Sequence, residues 1–274
     1  MSRSFNRVLL ATEGTEFDVG AERVAIDLAA KCGLQLLAVR PVVSNPEFEL
    51  VAPELAQKAE AEGVEDLERL RQKATACGVS LQGSVRCGEA PYQEIVAEAR
   101  DRDADLIVVR RRGKRGYVAN LLIGAMVHTV IGHAPCDVLI VPRAGQMWSR
   151  RLLLATDGSS HSERATAVAA TIAQRCRLPV TVVSVLVHPN EDRSATAANV
   201  ERALAVLRGA SVSADGRVAS GKPYEAILEV GHEAGADLIV LGRRGLGGVE
   251  RLLLGSTSER VAGQADCPVL VVRA

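Results

Sequence analysis

The chain repeats itself. One copy opens Arg7-Val-Leu-Leu-Ala-Thr-Glu13-Gly14 and the next opens Arg151-Leu-Leu-Leu-Ala-Thr-Asp157-Gly158, an offset of 144 that Cys32 and Cys176 keep. Pro91-Tyr92 matches Pro223-Tyr224, and Asp105-Leu-Ile-Val matches Asp237-Leu-Ile-Val, both at 132. The copies close on Ala134-x-Cys136-x-Val138-Leu-Ile-Val141 and Ala265-x-Cys267-x-Val269-Leu-Val-Val272, at 131. An ordered, falling series of offsets describes a domain duplicated and then trimmed by internal deletions. Whatever fold the chain adopts, it must adopt twice. The 274 residues therefore divide into domains at 1–145 and 149–274, with a short linker near Pro142–Trp148.

Each copy alternates strands and helices. In the second, Leu152–Thr156 reads as a strand and Ser162–Gln174 as a helix, with Ala, Val and Ile recurring at three- and four-residue steps. Strands at Pro179–Val187, Val212–Val218, Asp237–Leu241 and Pro268–Val272 follow, separated by helices at Val200–Leu207, Pro223–Ala234 and Thr257–Gln264. The core material is Val, Leu, Ile and Ala, because 47 % of residues are apolar but only 3 % aromatic. That is the composition of parallel strands buried between helices. The expectation is an α/β fold of two repeated open-sheet domains, each a five-stranded parallel sheet with helices on both faces. The first copy differs mainly by Pro46–Glu62, an acidic Ala-rich stretch that lengthens the connection after its second strand.

Several function classes recede on composition. With 33 basic and 33 acidic residues, a broad nucleic-acid surface is disfavoured. No apolar run approaches the roughly 20 residues of a membrane helix. The start, Met-Ser-Arg-Ser-Phe-Asn-Arg, leads straight into a strand, so a cytoplasmic location is expected. Six scattered cysteines (Cys32, Cys77, Cys87, Cys136, Cys176, Cys267) form no C-x-x-C pair. The repeated pairs read as small buried hydrophobes in a reducing compartment, with a redox role as the alternative. The five histidines form no metal-binding pattern with the cysteines, and no nucleophile elbow occurs. No catalytic or metal-ligating residue is therefore assigned.

Open parallel sheets bind ligands beyond the carboxyl ends of their strands, where strand order reverses. After the fourth strand of the second copy the chain reads Gly242-Arg243-Arg244-Gly245, nine residues, then Gly255-Ser256. Gly242 and Gly245 permit positive φ and let backbone N–H groups approach an anion. Gly255, Ser256 and Thr257 stand where a helix begins, and free N–H groups with the helix dipole favour a phosphate there. Ser256 adds a hydroxyl donor, or instead caps the helix. Arg243 and Arg244 either add charge or lie solvated. Asp157, at the end of the first strand, can accept from ribose hydroxyls. His161, in the next turn, either approaches a ligand or is simply exposed. The set is neither a Walker A loop nor a dinucleotide fingerprint.

Ala155-Thr156-Asp157-Gly-Ser-x-x-Ser162, the G-x-x-G-9x-G-S loop and the closing Ala265-x-Cys267-Pro-Val-Leu-Val-Val272 together resemble the universal stress protein family. The resemblance covers both copies almost end to end. It implies a Rossmann-like, adenine nucleotide alpha hydrolase-like fold and a tandem member of the family. It further implies that ATP, with ADP or AMP as alternatives and Mg²⁺ as companion, binds in the second domain. Carried over, Ala155, Thr156 and Asp157 flank the ribose, and Val185 meets adenine through its main chain. Gly242, Arg243, Arg244, Gly245, Gly255, Ser256 and Thr257 surround the phosphates. A role in stress response as a nucleotide-dependent sensor follows. The rivals are a slow ATPase or phosphotransferase, and an interaction module without nucleotide. The family resemblance also implies an intramolecular pseudo-dimer through the last strands of the two copies, with a homodimer as a further level and the protein partner unknown.

The first copy departs from this pattern. Glu13 replaces Asp157, Arg110 replaces Gly242, Ala125 replaces Ser256, and ten residues rather than nine separate Gly113 from Gly124. Together these changes predict a degenerate site. Arg110-Arg111-Arg112 with Lys114-Arg115 makes a basic cluster that either meets an anion or lies in solvent, the latter being the preferred expectation.

Overall fold

The computed structural model describes residues 5–111, 123–187, 193–245 and 254–273. They form two compact units whose bodies lie within residues 5–146 and 147–274. The first unit runs β1 (Arg7–Ala11), α1 (Val19–Cys32), β2 (Gln35–Val43), α2 (Pro46–Val51), α3 (Pro53–Ala76), β3 (Leu81–Gly88), α4 (Pro91–Asp101), β4 (Leu106–Arg110), α5 (Ala125–His133) and β5 (Asp137–Val141). The second runs β6 (Leu152–Ala155), α6 (Ser160–Cys176), β7 (Val180–Leu186), α7 (Arg193–Gly209), β8 (Ala214–Ser220), α8 (Pro223–Glu233), β9 (Leu238–Gly242), α9 (Ser256–Gln264) and β10 (Val269–Val272).

Within the first unit the strand order is β3-β2-β1-β4-β5, and within the second β8-β7-β6-β9-β10. The neighbouring strands whose register is known in each unit all pair in parallel. This is the expected doubly wound sheet, formed twice. Every residue of β4, β5, β9 and β10 is buried, as strands covered by helices on both faces require. The edge strands β3 and β8 are only partly covered.

Two devices recur in both copies and are structural. Asp105 and Asp237, each just before the fourth strand, accept from the backbone where the first strand begins. Asp105 takes Asn6 N and Arg7 N at 2.7 and 3.2 Å, and Asp237 takes Ser149 N, Arg150 N and Arg151 N at 2.7–3.0 Å. Each first helix also ends on a left-handed residue, Gly33 at φ 64° in one copy and Arg177 at φ 55° in the other. A glycine takes this conformation freely and an arginine does not.

The chain moves outward from β6 to β7 and β8, then returns to lay β9 on the other side of β6. The strand order thus reverses between β6 and β9, the place where open sheets of this kind form a ligand crevice beyond the carboxyl ends of their strands. The segments predicted to carry the site leave from those two strands.

Of the cysteines, Cys136 is buried, Cys32, Cys176 and Cys267 are half-buried, and Cys77 and Cys87 are exposed. Burial pushes the Cys267 thiol up to about 12, which keeps it protonated and unreactive.

Candidate functional site

The Asp157 turn is built from its own side chains. Past the end of β6, Thr156 N still donates to Val183 O at 2.9 Å. Its buried hydroxyl donates to Ser162 Oγ at 3.2 Å and accepts from Gly158 N at 3.3 Å. Gly158 takes φ +79°, and a Cβ there would strike Asn199 Oδ1. Asn199, on α7, donates to Asp157 O at 3.1 Å. Ser159 has two jobs: its N–H and hydroxyl donate to Asp157 Oδ1 at 3.0 and 2.6 Å, and its Oγ accepts from Ser162 N at 3.3 Å as the N-cap of α6. The half-buried carboxylate is therefore held in one orientation at the mouth of the crevice.

The segment after β9 closes on this turn. A Cβ on Gly242 would stand 2.8 Å from His161 C and 2.9 Å from His161 O. That is backbone against backbone, so only glycine fits. A Cβ on Gly245 would overlap Asp157 Oδ2. Neither glycine takes left-handed backbone, which corrects the expectation of positive φ: both are required for close packing instead. Gly255 N donates to Arg243 O at 2.9 Å. A Cβ on Gly255 would meet Arg243 O and Arg244 Cα at 3.4 and 3.5 Å, an ordinary contact, so this glycine is not sterically compelled.

Gly255 is the N-cap of α9, and no side chain caps that helix. Ser256 is thus the first helical residue and not the cap; it is exposed, with Thr257 half-buried behind it. Ser258, which the motif does not include, is buried and donates to Gly242 O at 2.8 Å. It pins the helix start to the end of β9. Asp157, Gly242, Arg243, Arg244, Gly245, Gly255, Ser256 and Thr257 are thereby brought together from three separate stretches of chain. Ala155 lies level with Val183, so Val185 stands two residues further along β7, beside the Asp157 turn and half-buried. Residues 246–253, eight of the nine between Gly245 and Gly255, lie outside the described residues.

Burial and neighbouring cations set the electrostatics of the turn. His161 Nδ1 is buried with no hydrogen-bond partner among the described residues. Burial, then the Arg243 and Arg244 cations, hold His161 below its ordinary value, and Asp157 partly opposes them. Arg243 is itself pushed down by burial and by Arg244 and Arg273. His161 is thus half-buried, within the field of Arg243 and Arg244, and is not an exposed turn residue.

The corresponding place in the first unit is filled by the protein itself. Arg110, at the Gly242 position, is not solvated as expected: its side chain is only 5 % exposed. It pairs with Glu13, with Asp18 at 3.1 Å and with Thr15 Oγ1 at 2.6 Å. Asp18 also accepts from Thr15 N and Oγ1 at 2.9 and 2.7 Å. Its burial raises its carboxyl above the usual range, against the pull of those bonds and of Arg110. Asp18 stands at the 144 offset from Ser162. Helix α6 begins at Ser160, which maps to Glu16, whereas α1 begins only at Val19. The turn missing from α1 leaves room for the Arg110 side chain.

A further departure lies on β2. Leu36 pairs beside Val8 as Val180 pairs beside Leu152, so Pro41 occupies the Val185 position. Proline has no N–H to offer a ligand. Gly113, Arg112, Lys114 and Arg115 lie outside the described residues, while Ala125 opens α5 as Ser256 opens α9.

The chain is similar to known proteins along its whole length. Universal stress protein Slr1230 of Synechocystis is 26 % identical over 292 residues, covering 97 % of this chain and 99 % of that one. Universal stress protein Rv2623 of Mycobacterium tuberculosis is 32 % identical over 222 residues, 72 % of this chain and 74 % of that one. Among solved structures, a universal stress protein from Archaeoglobus fulgidus superposes with a TM-score of 0.79 at 22 % identity, covering 98 % of this chain and 96 % of that one. The model of the universal stress protein family matches residues 4–142 and again residues 149–273, and with two copies of that domain the chain belongs to the universal stress protein family.

Proposed function

We propose that the second domain binds an adenine nucleotide, with ATP the first candidate and ADP or AMP the alternatives, and that the bound nucleotide is the input of a stress-responsive regulator. The observation that carries this reading is the packing of Gly245 against the Asp157 carboxylate. It joins a ribose-type acceptor to an anion-type segment at the switch point of the sheet. In this reading Asp157 accepts from the ribose hydroxyls and the Val185 main chain faces the base. Gly242, Gly245, Gly255 and the N–H groups of Ser256 and Thr257 surround the phosphates, with Arg243 and Arg244 supplying positive charge. Mg²⁺ would accompany the triphosphate as its counter-ion.

The first domain does not take nucleotide in this reading. Arg110 stands where the ligand would enter, Glu13 is already paired, and Pro41 lacks the main-chain donor. β5 is the last strand of its copy as β10 is of the other. Equivalent last strands are suited to pairing with each other, so we include an intramolecular pseudo-dimer in the proposal, tested by crosslinking cysteines placed at Leu139 and Leu270.

Extracting freshly purified protein with acid and identifying the released species by mass spectrometry tests the nucleotide reading. The expected result is one adenine nucleotide, carried by the parent and absent from Asp157→Ala. A chain that carries none and gains no thermal stability from added ATP, ADP or AMP would refute it.

A further inference from the structure

Between Cys32 and Pro91 the repeat offset falls from 144 to 132, so the first copy holds twelve residues more than the second. The extra chain lies in the stretch that forms α2 and the start of α3. None of α2 is buried. The buried residues of α3 begin only at Gly63, so none of its first ten residues, about 15 Å of helix, is buried. A helix this short does not hold itself by burial or by intrinsic propensity. Local caps hold it: Asn45 Oδ1 accepts from Phe48 N at 2.7 Å, and Ser44 donates to Glu49 at 2.7 Å.

Several of the side chains this segment turns outward are apolar. Leu50 is 83 % exposed, Val51 77 %, Leu55 58 %, and Val43, at the end of β2, 61 %. Apolar groups this close in sequence and this exposed are seldom kept on a free surface. The same stretch carries Glu47, Glu49, Glu54, Glu60, Glu62 and Glu65, all exposed, against the single Lys58. Residues 46–65 thus carry six acidic groups and one basic, a net charge of −5 in a chain whose net charge is 0.

We infer that the α2 helix and the first turns of α3 form a docking surface for a cationic amphipathic helix of another protein. Its apolar face covers Leu50, Val51 and Leu55, and its Lys or Arg side chains reach the surrounding glutamates. The charge selects against other occupants. An anionic membrane or a nucleic acid would be repelled, and a second copy docking by a twofold axis would set one acidic rim against the same rim. The inference is independent of the nucleotide site.

The test uses the full chain and a labelled helical peptide of Leu and Lys, about 18 residues or five turns long, read by fluorescence anisotropy at physiological salt. The expected result is saturable one-to-one binding of this peptide and none of the matching Leu/Glu peptide. Leu50→Ser/Val51→Ser/Leu55→Ser, which keeps every charge, should weaken binding at least about tenfold. Glu47→Gln/Glu54→Gln/Glu62→Gln should weaken it similarly. Sedimentation of the parent and the serine variant runs alongside. Absence of binding, equal affinity in the serine variant, or a parent dimer that the serine variant dissolves would each overturn the inference.

Discussion

Replacing Gly245 with alanine is the perturbation whose effect follows most directly from the geometry. The new Cβ would overlap Asp157 Oδ2, while Oδ1 is held by Ser159 N at 3.0 Å and Ser159 Oγ at 2.6 Å. The carboxylate cannot move aside without giving up those bonds. Because Asp157 is half-buried, water replaces part of what is lost, and the stability cost is about 1 kcal/mol. Nucleotide affinity suffers more. A displaced carboxylate no longer meets the ribose, and a hydrogen bond to a charged group contributes about 1.5–3 kcal/mol. At 1.4 kcal/mol per tenfold, that corresponds to roughly 10- to 150-fold in Kd. Calorimetric titration with ATP measures it, and Gly255→Ala is the matched control. The Cβ of that variant would meet Arg243 O at 3.4 Å and Arg244 Cα at 3.5 Å, ordinary contacts, so affinity should change by no more than about threefold. If Gly245→Ala binds like the parent, or Gly255→Ala loses more affinity than Gly245→Ala, the assigned roles of the two glycines are wrong.

Arg110→Ala should destabilise the first domain by about 3–5 kcal/mol, because Glu13 and the buried Asp18 lose their cation; chemical denaturation at neutral pH reads it, and the loss should shrink in acid as Asp18 protonates. Arg177→Gly should stabilise the second domain by about 1 kcal/mol, raising its Tm in calorimetry, since it gives that helix end the glycine the first copy has at Gly33. Phosphates near His161 should raise its depressed pKa, so binding takes up a proton and affinity rises as pH falls through the interval between the free and bound values, from below the ordinary 6.5 upward. The phosphate groups titrate too, identically for both proteins, so the difference between the parent and His161→Gln across pH 5–8 isolates the histidine; parallel curves would remove it from the site.

The fold was legible because its signals are local and occur twice. Apolar runs such as Leu238–Gly242 and Val269–Val272 are buried throughout, and the glycine and proline residues between runs mark the turns. Helix α6 extends two residues beyond Ser162 at its start because Ser159 caps it, a detail that rests on a side-chain bond and not on periodicity. Gly242 and Gly245 were legible as positions but not in their cause. A close approach to His161 and Asp157 leaves no trace in local sequence, whereas a turn would. Ser258 was hidden for the same reason: its partner, Gly242 O, is 16 residues away. The burial of Arg110 depends on Asp18 and Glu13, which are 92 and 97 residues earlier. A row of basic residues read alone suggests solvent. Pro41 could have been read, since the 144 offset still holds there.

In the proposed function one site per chain, in the second domain, takes an adenine nucleotide while Arg110 closes the other. Titrating ATP into the full chain in a calorimeter, beside Asp157→Ala and Glu13→Gln, tests it in one measurement. The expected result is a stoichiometry of one for the parent, a Kd weakened at least about tenfold in Asp157→Ala and an unchanged site for Glu13→Gln. Two equivalent sites, or one site whose affinity Asp157→Ala leaves unchanged, would contradict it.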